Sequence, residues 1–194
     1  MRTTRLDIPD LILIEPSKHG DARGFFSEVW RADVLAALGV AADFVQDNHA
    51  FSTERGVLRG LHYQTPPSAQ GKLVRCARGR VLDVAVDIRH GSPTFGCHAA
   101  VELSAENWRQ LWVPPGFAHG YLTLDPDCEV LYKVTAYYDP ASDRGVAWDD
   151  PDLAIDWGLA AVDVILSAKD QRHPRLVDAP PAFDYAPDGT RART

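Results

Sequence analysis

The sequence predicts an all-β protein, a two-sheet barrel of the jelly-roll kind with a few short helices. From Phe44 to Tyr138, short runs rich in β-branched and aromatic residues follow one another. Turn signals separate them: Thr65-Pro66-Pro67-Ser68, Arg78-Gly79, His90-Gly91-Ser92-Pro93, Pro114-Pro115-Gly116 and Asp125-Pro126-Asp127. Short strands punctuated in this way are the pattern of a sandwich or barrel. Before the C-terminal third, only Arg31 to Leu38 carries convincing helical spacing.

In chain order, Leu6–Glu15 reads as a strand whose apolar part is Leu11 to Ile14, and Ser17–Gly24 as a polar turn bearing His19, Asp21 and Arg23. Phe25–Trp30 reads as a second strand. The helix Arg31–Leu38 places Val34, Leu35 and Leu38 together and meets Gly39, a C-terminal stop signal. Strands then follow over Phe44–Phe51, Gly56–Gln64, Lys72–Ala77, Arg80–Ile88, Cys97–Leu103, Gln110–Val113, Gly120–Leu124 and Cys128–Tyr138. Alternation puts Leu82, Val84 and Val86 on one face and Asp83, Ala85 and Asp87 on the other. Asp83 is thus either a cavity carboxylate or part of a solvated face. Ala160–Leu166 suggests short helical structure. Residues 1–175 read as a single domain and 176–194 as a partly irregular extension, with Asp184–Thr194 frayed.

A chain of 194 residues suffices for one domain with a full core. Its longest apolar run is far short of a membrane span, so no membrane partner is expected. The segment after Met1–Arg5 is interrupted by Asp7, Pro9 and Asp10, unlike a signal-peptide core, and a cytoplasmic location is expected. The formal charge of −7 argues against nucleic acid, though a local arginine cluster can still hold an anion. Cys76, Cys97 and Cys128 lie far apart in apolar stretches, which indicates buried thiols rather than disulfides or a zinc site.

The stretch Arg55-Gly56-Val57-Leu58-Arg59-Gly60-Leu61-His62-Tyr63-Gln64 packs two guanidiniums, an imidazole, a phenol and an amide into ten residues that read as a strand. Strict alternation puts Leu58, His62 and Gln64 on one face and Val57, Arg59, Leu61 and Tyr63 on the other. His62 is either a core imidazole satisfied by a carbonyl or a site residue; Gln64 and Arg59 beside it favour a ligand. A second stretch, Val113-Pro114-Pro115-Gly116-Phe117-Ala118-His119-Gly120, delivers a histidine to a strand start. Together the two resemble the paired motifs of the cupin superfamily. A metal-binding cupin needs a second histidine and a carboxylate in the first motif, because a divalent ion wants converging N/O ligands. Gln64 stands at the histidine position, and Lys72 lies in the segment where the carboxylate would be sought. No metal is expected.

A longer ordered set is more specific. Asp21-x-Arg23-Gly24-x-Phe26-x-Glu28, Gln46-x-Asn48, Gly56 to Gln64, Gln70-x-Lys72-Leu73-Val74-Arg75, Asp83-x-x-x-Asp87 and Ser92-Pro93-Thr94-Phe95-Gly96 are its first part. Pro115 to Gly120, Tyr132-Lys133-x-Thr135-x-Tyr137-Tyr138 and Ser167-x-Lys169-Asp170 complete it. Over residues 6 to 175 the set resembles the dTDP-4-dehydrorhamnose 3,5-epimerase family of dTDP-L-rhamnose synthesis.

The resemblance implies double inversion at C3 and C5 of dTDP-4-dehydro-6-deoxy-D-glucose, without a cofactor. The 4-keto group acidifies the neighbouring C–H bonds, so the protein must supply a base, an acid and a cation. By resemblance His62 is the general base, Asp170 the carboxylate paired with it, Tyr132 the acid on the opposite ring face and Lys72 the cation at the C4 oxygen. An imidazole of pKa roughly 6.5 is largely neutral near pH 7 and a phenol of roughly 10 keeps its proton, as these roles need. Arg23, Arg59 and Lys169 match positions near the diphosphate. Glu28, Gln46, Asp47 and Asn48 match the segment around thymine and deoxyribose, and His119 a sugar-pocket residue. Asp143, also a substrate-site position, stands where the family commonly has Glu, and Tyr121 where Phe is usual. The resemblance further implies a homodimer with exchanged N-terminal strands, in which Arg23 and Glu28 complete the partner's site. Alternation sets Arg59 and His62 on opposite faces, so both meet one ligand only through a bulge near Gly60 or by serving different subunits. The alternatives are an epimerase acting at C3 or C5 only, a metal-dependent cupin oxygenase or isomerase, and a non-catalytic sugar-binding jelly roll.

Overall fold

Two antiparallel sheets face each other across the core of the computed structural model, which describes residues 1–187. The first elements are β1 (Arg2–Arg5), β2 (Ile12–Glu15), β3 (His19–Asp21), β4 (Gly24–Phe26) and the helix α1 (Ala32–Ala37). The long strands are β5 (Gln46–Ser52), β6 (Leu58–Gln64), β7 (Lys72–Arg78) and β8 (Arg80–Asp87), with β9 (Arg89–His90) short. β10 (His98–Ser104), β11 (Gln110–Val113), β12 (Phe117–Thr123) and β13 (Cys128–Val134) continue the run, before β14 (Asp143–Gly145) and β15 (Phe183–Asp184). One sheet runs in the order β1-β2-β11-β7-β13-β5, the other β10-β8-β12-β6-β14.

Alternation gives each sheet two apolar faces, and three clusters result. Between the sheets, Val74, Leu111 and Val130 of the first meet Val81, Ala85 and Phe117 of the second. On the outside of the first, Ile12, Ile14, Leu73 and Trp112 are covered by Leu35 of α1 and by Val40. On the outside of the second, Leu61, Val84, Val86 and Leu122 are covered by Val146, Leu153, Trp157 and Phe183. Burying each such side chain contributes roughly 1.5–3 kcal/mol. Both faces of β8 are therefore buried, and Asp83 sits between the sheets, fully enclosed.

Several expectations need correction. Leu6–Glu15 is not one strand: Leu6 N donates to Leu11 O and Leu11 N to Ile8 O, because Pro9-Asp10 turns the chain so that β1 folds back on β2. Phe25–Trp30 pairs only as far as Phe26, in the β3–β4 hairpin, with both phenylalanines exposed. Cys128–Tyr138 leaves its ladder at Val134, after which Thr135 N donates to Gly71 O. Cys97 is exposed, unlike Cys76 and Cys128. The frayed reading fails for Asp184 and Tyr185: β15 pairs in parallel with β9, Tyr185 N donates to His90 O, and Phe183 belongs to the outer cluster. The remainder of that reading, over 188–194, lies outside the described residues.

Candidate active site

Strands β6, β7, β12 and β13 and the 3-10 turn Asp170–Arg172 contribute to a cleft of about 440 Å³. Arg59 and His62 both line it. Strict alternation along β6 fails because the pairing with β12 slips between His119 and Tyr121, opposite Gly60. There the two backbones approach so closely that a Cβ on Gly60 would lie 2.5 Å from Gly120 Cα. The slip puts Arg59 and His62 at the cleft, while Leu58, Leu61 and Tyr63 share the outer cluster. Gln64 is not a ligand-facing partner of His62. Its amide donates to Ser68 O at 2.6 Å and Tyr137 O at 3.1 Å and accepts from Asp139 N at 2.9 Å, a full set of structural bonds.

His62 Nε2 donates to Asp170 Oδ1 at 2.5 Å, which leaves the lone pair on Nδ1. The turn bearing Asp170 is started by its own amide, which donates to Ser167 Oγ at 3.1 Å. Burial pulls the His62 pKa below its ordinary value, assisted by the Lys72 and Lys169 ammoniums and opposed by Asp170. Burial alone would raise Asp170, but the imidazoles of His173 and His62 beside it outweigh that and hold the carboxyl well below the usual range. It is an anion at neutral pH.

Lys72 is 8% exposed and donates from Nζ to His62 O at 3.2 Å. Burial drags its pKa from 10.5 to about 8, against the pull of Asp83 and Asp143. Tyr132, on β13, opens into the same cleft, and burial pushes its phenol upward. His119, directly opposite His62 in the β12–β6 register, donates from Nε2 to Asp83, 3.0 Å from each carboxylate oxygen. That bond decides between the two readings of Asp83.

At the cleft, Lys169 is ion-paired with Asp143, which also accepts from Tyr138 Oη at 3.1 Å. Arg59 is held by Phe51 O at 3.2 Å and Ser52 Oγ at 3.4 Å, with its guanidinium still exposed. Gln46 and Asn48 share the half-buried face of β5 with the cleft residue Ala50 and bond to each other at 2.9 Å. Asp47 lies on the other face, paired with Lys133 at 2.9 Å. Arg23 and Glu28 are not brought to the cleft of their own chain. Arg23 stands in the exposed hairpin turn paired with Asp21, and Glu28 lies 3.9 Å from Arg31.

His173 escaped the sequence reading, and Tyr121, noted there only as standing where Phe is usual, takes its setting from the fold. Tyr121 is buried with its hydroxyl unpartnered, although it lines the cleft. His173 places Nε2 3.4 Å from Asp170 Oδ1; the signal was its place three residues after Asp170. His62, Asp170 and His173 bring one ligand atom each within 4.8 Å, a spacing that an ion could bridge. The 2.5 Å bond joins His62 to Asp170, with His173 Nε2 standing 3.4 Å from the same carboxylate oxygen.

The family model described as dTDP-4-dehydrorhamnose 3,5-epimerase matches residues 5–178. The chain belongs to this family. It is 52% identical over 180 residues to the dTDP-4-dehydrorhamnose 3,5-epimerase of Pseudomonas aeruginosa, covering 92% of this chain and 98% of that one. A crystal structure of the Legionella pneumophila dTDP-6-deoxy-D-glucose-3,5-epimerase, in complex with dTDP-4-keto-L-rhamnose, superposes with a TM-score of 0.91 at 46% identity, covering 95% and 98% of the chains. A 3′-monoepimerase from Streptomyces bikiniensis, in complex with dTDP-quinovose, superposes at 0.82 with 36% identity, covering 89% and 86%. The jelly-roll reading is thereby established together with the 3,5-epimerase family. Among the described residues of this epimerase-family chain, no helix is long and apolar enough to cross a membrane.

Proposed function

We propose that this chain inverts C3 and C5 of dTDP-4-dehydro-6-deoxy-D-glucose to give dTDP-4-dehydro-L-rhamnose, by proton transfer through an enolate. One observation carries the mechanism: a His–Asp pair, a buried ammonium and a phenol open into a single cleft. His62 Nδ1 takes the carbon-bound proton, and the Asp170 carboxylate holds the ring's tautomer and offsets the imidazolium charge. Lys72 faces the C4 oxygen, where its charge favours the enolate over the ketone and so lowers the barrier. Tyr132 returns a proton to the opposite face. Inversion requires that second donor, because a base returning its own proton restores the starting configuration.

His119, braced by Asp83, contacts the hexose; Arg59 and Lys169, with Arg23, serve the diphosphate; Gln46 and Asn48, with Asp47 and Glu28, serve the nucleoside; and Asp143 is a further substrate-site residue. Arg23 and Glu28 act on the neighbouring copy of a homodimer whose N-terminal strands exchange. Their distance from their own cleft and the exposed Phe25 and Phe26 support this. A monomeric mass in solution scattering would refute it. A cytoplasmic location agrees with three free thiols.

The test is turnover in heavy water. Deuterium entering both C3 and C5 of an inverted product is expected, whereas exchange at one carbon alone would make the chain a mono-epimerase. Binding of dTDP-sugar with no exchange would leave only a binding module, and loss of turnover after exhaustive chelation would point to a metal enzyme.

A further inference from the structure

His173 is 9% exposed, and its Nε2 is fully buried without a well-formed hydrogen bond. A buried N–H left unmet is destabilising. The imidazole is nevertheless held where it is from several sides. Its ring stands edge-on to that of His62, with centroids 5.4 Å apart at 76°. It lies against the backbone of Gly145, the register partner of His62, so closely that a Cβ there would be 2.4 Å from Nε2. The next residue is pinned by Ala147 N donating to Pro174 O at 2.7 Å. This placement leaves Nε2 3.4 Å from Asp170 Oδ1, the same oxygen that accepts from His62.

We propose that His173 is a positioning residue for the base: its Nε2–H shares the Asp170 carboxylate with His62, fixing that carboxylate's orientation and restraining the basicity of His62. The inference rests on reading His62 as the base. A carboxylate oxygen that accepts two N–H groups stabilises an imidazolium at either one less than it would stabilise a single partner. The other charged groups around His62 are Lys72 from β7, Lys169 with its partner Asp143 of β14, and the His119–Asp83 pair of β12 and β8. None of these competes for Asp170 Oδ1.

In H173F the ring still covers Gly145 but the donor is gone. The His62 titration midpoint, followed by histidine ring NMR in the ligand-free protein, is expected to rise by roughly half a unit or more. The acid limb of kcat/KM moves up with it, and H173Q, which restores an N–H donor, brings both back. An unchanged or lowered midpoint in H173F overturns the proposal. The wild-type protein supplies a check that needs no variant: nitrogen NMR is expected to find the His173 proton on Nε2, and a proton on Nδ1 alone overturns the proposal too. Failure of the wild-type protein to exchange substrate hydrogens would instead strike the assignment of His62 as base, while the NMR shift would still report the three-residue chain.

Discussion

Replacing Lys72 by methionine is expected to make the protein more stable and nearly inactive. The buried ammonium has its pKa lowered from 10.5 to about 8. The folded chain thus gives up a proton that the unfolded chain keeps, and wild-type stability rises as pH climbs from about 8 to about 10.5. The gap of about 2.5 units corresponds to ~3 kcal/mol that K72M recovers at neutral pH. Loss of the Nζ–H bond to His62 O offsets about 1 kcal/mol, leaving a net gain of about 2 kcal/mol. On the chemical side, an electrostatic partner of the developing oxyanion is removed, and kcat should fall by about 100- to 1000-fold. Deprotonation of Lys72 also predicts that wild-type kcat declines above about pH 8, and that this alkaline limb is missing from the residual activity of K72M. Urea melts at pH 7 and pH 10, with a pH–rate profile of each protein, decide the matter. Full activity in K72M, a clear loss of stability at pH 7, or an alkaline limb near pH 8 that survives the substitution would refute the reasoning.

Y132F keeps the ring of a half-buried strand residue and removes only the proton donor. Inversion should slow by about 100-fold or more, while solvent deuterium still enters the substrate from the His62 side. Inversion of both carbons at the wild-type rate would dismiss Tyr132 as the acid. F183A empties a site 3% exposed on the outer face of the second sheet, with its ring centroid 6.1 Å from that of Tyr63. A loss of about 3 kcal/mol, seen as a melting temperature lower by roughly 6–12 °C, is expected with kcat unchanged; an unaltered melt would mean that the C-terminal segment does not bear on the core.

The barrel was legible because alternation and turn chemistry are local. Leu82 to Asp87 shows its two faces, and Pro-Pro, Gly and Asp-Pro signals mark the ends of strands whatever they pack against. The ordered motif set likewise carried the family, and it singled out His62, Lys72, Tyr132 and Asp170, which the fold brings to one cleft. What the residues alone left open depended on partners distant in sequence. Gln64 looked like a companion of His62 until Ser68, Tyr137 and Asp139 took up its amide. Asp83 could have faced water until β12 set His119 against it.

The amino-acid sequence by itself determined the long strands of the barrel, because side-chain shape and backbone freedom act within a few residues. Only the tertiary structure decided that Arg59 and His62 share a cleft. That depends on β6 slipping past β12 where Gly60 and Gly120 nearly touch, an approach between backbones sixty residues apart that periodicity cannot register. The same holds for His173, whose Nε2 comes to 3.4 Å from Asp170 where the chain closes over a glycine of the neighbouring strand. Interactions of that range are set by how sheets and turns pack together.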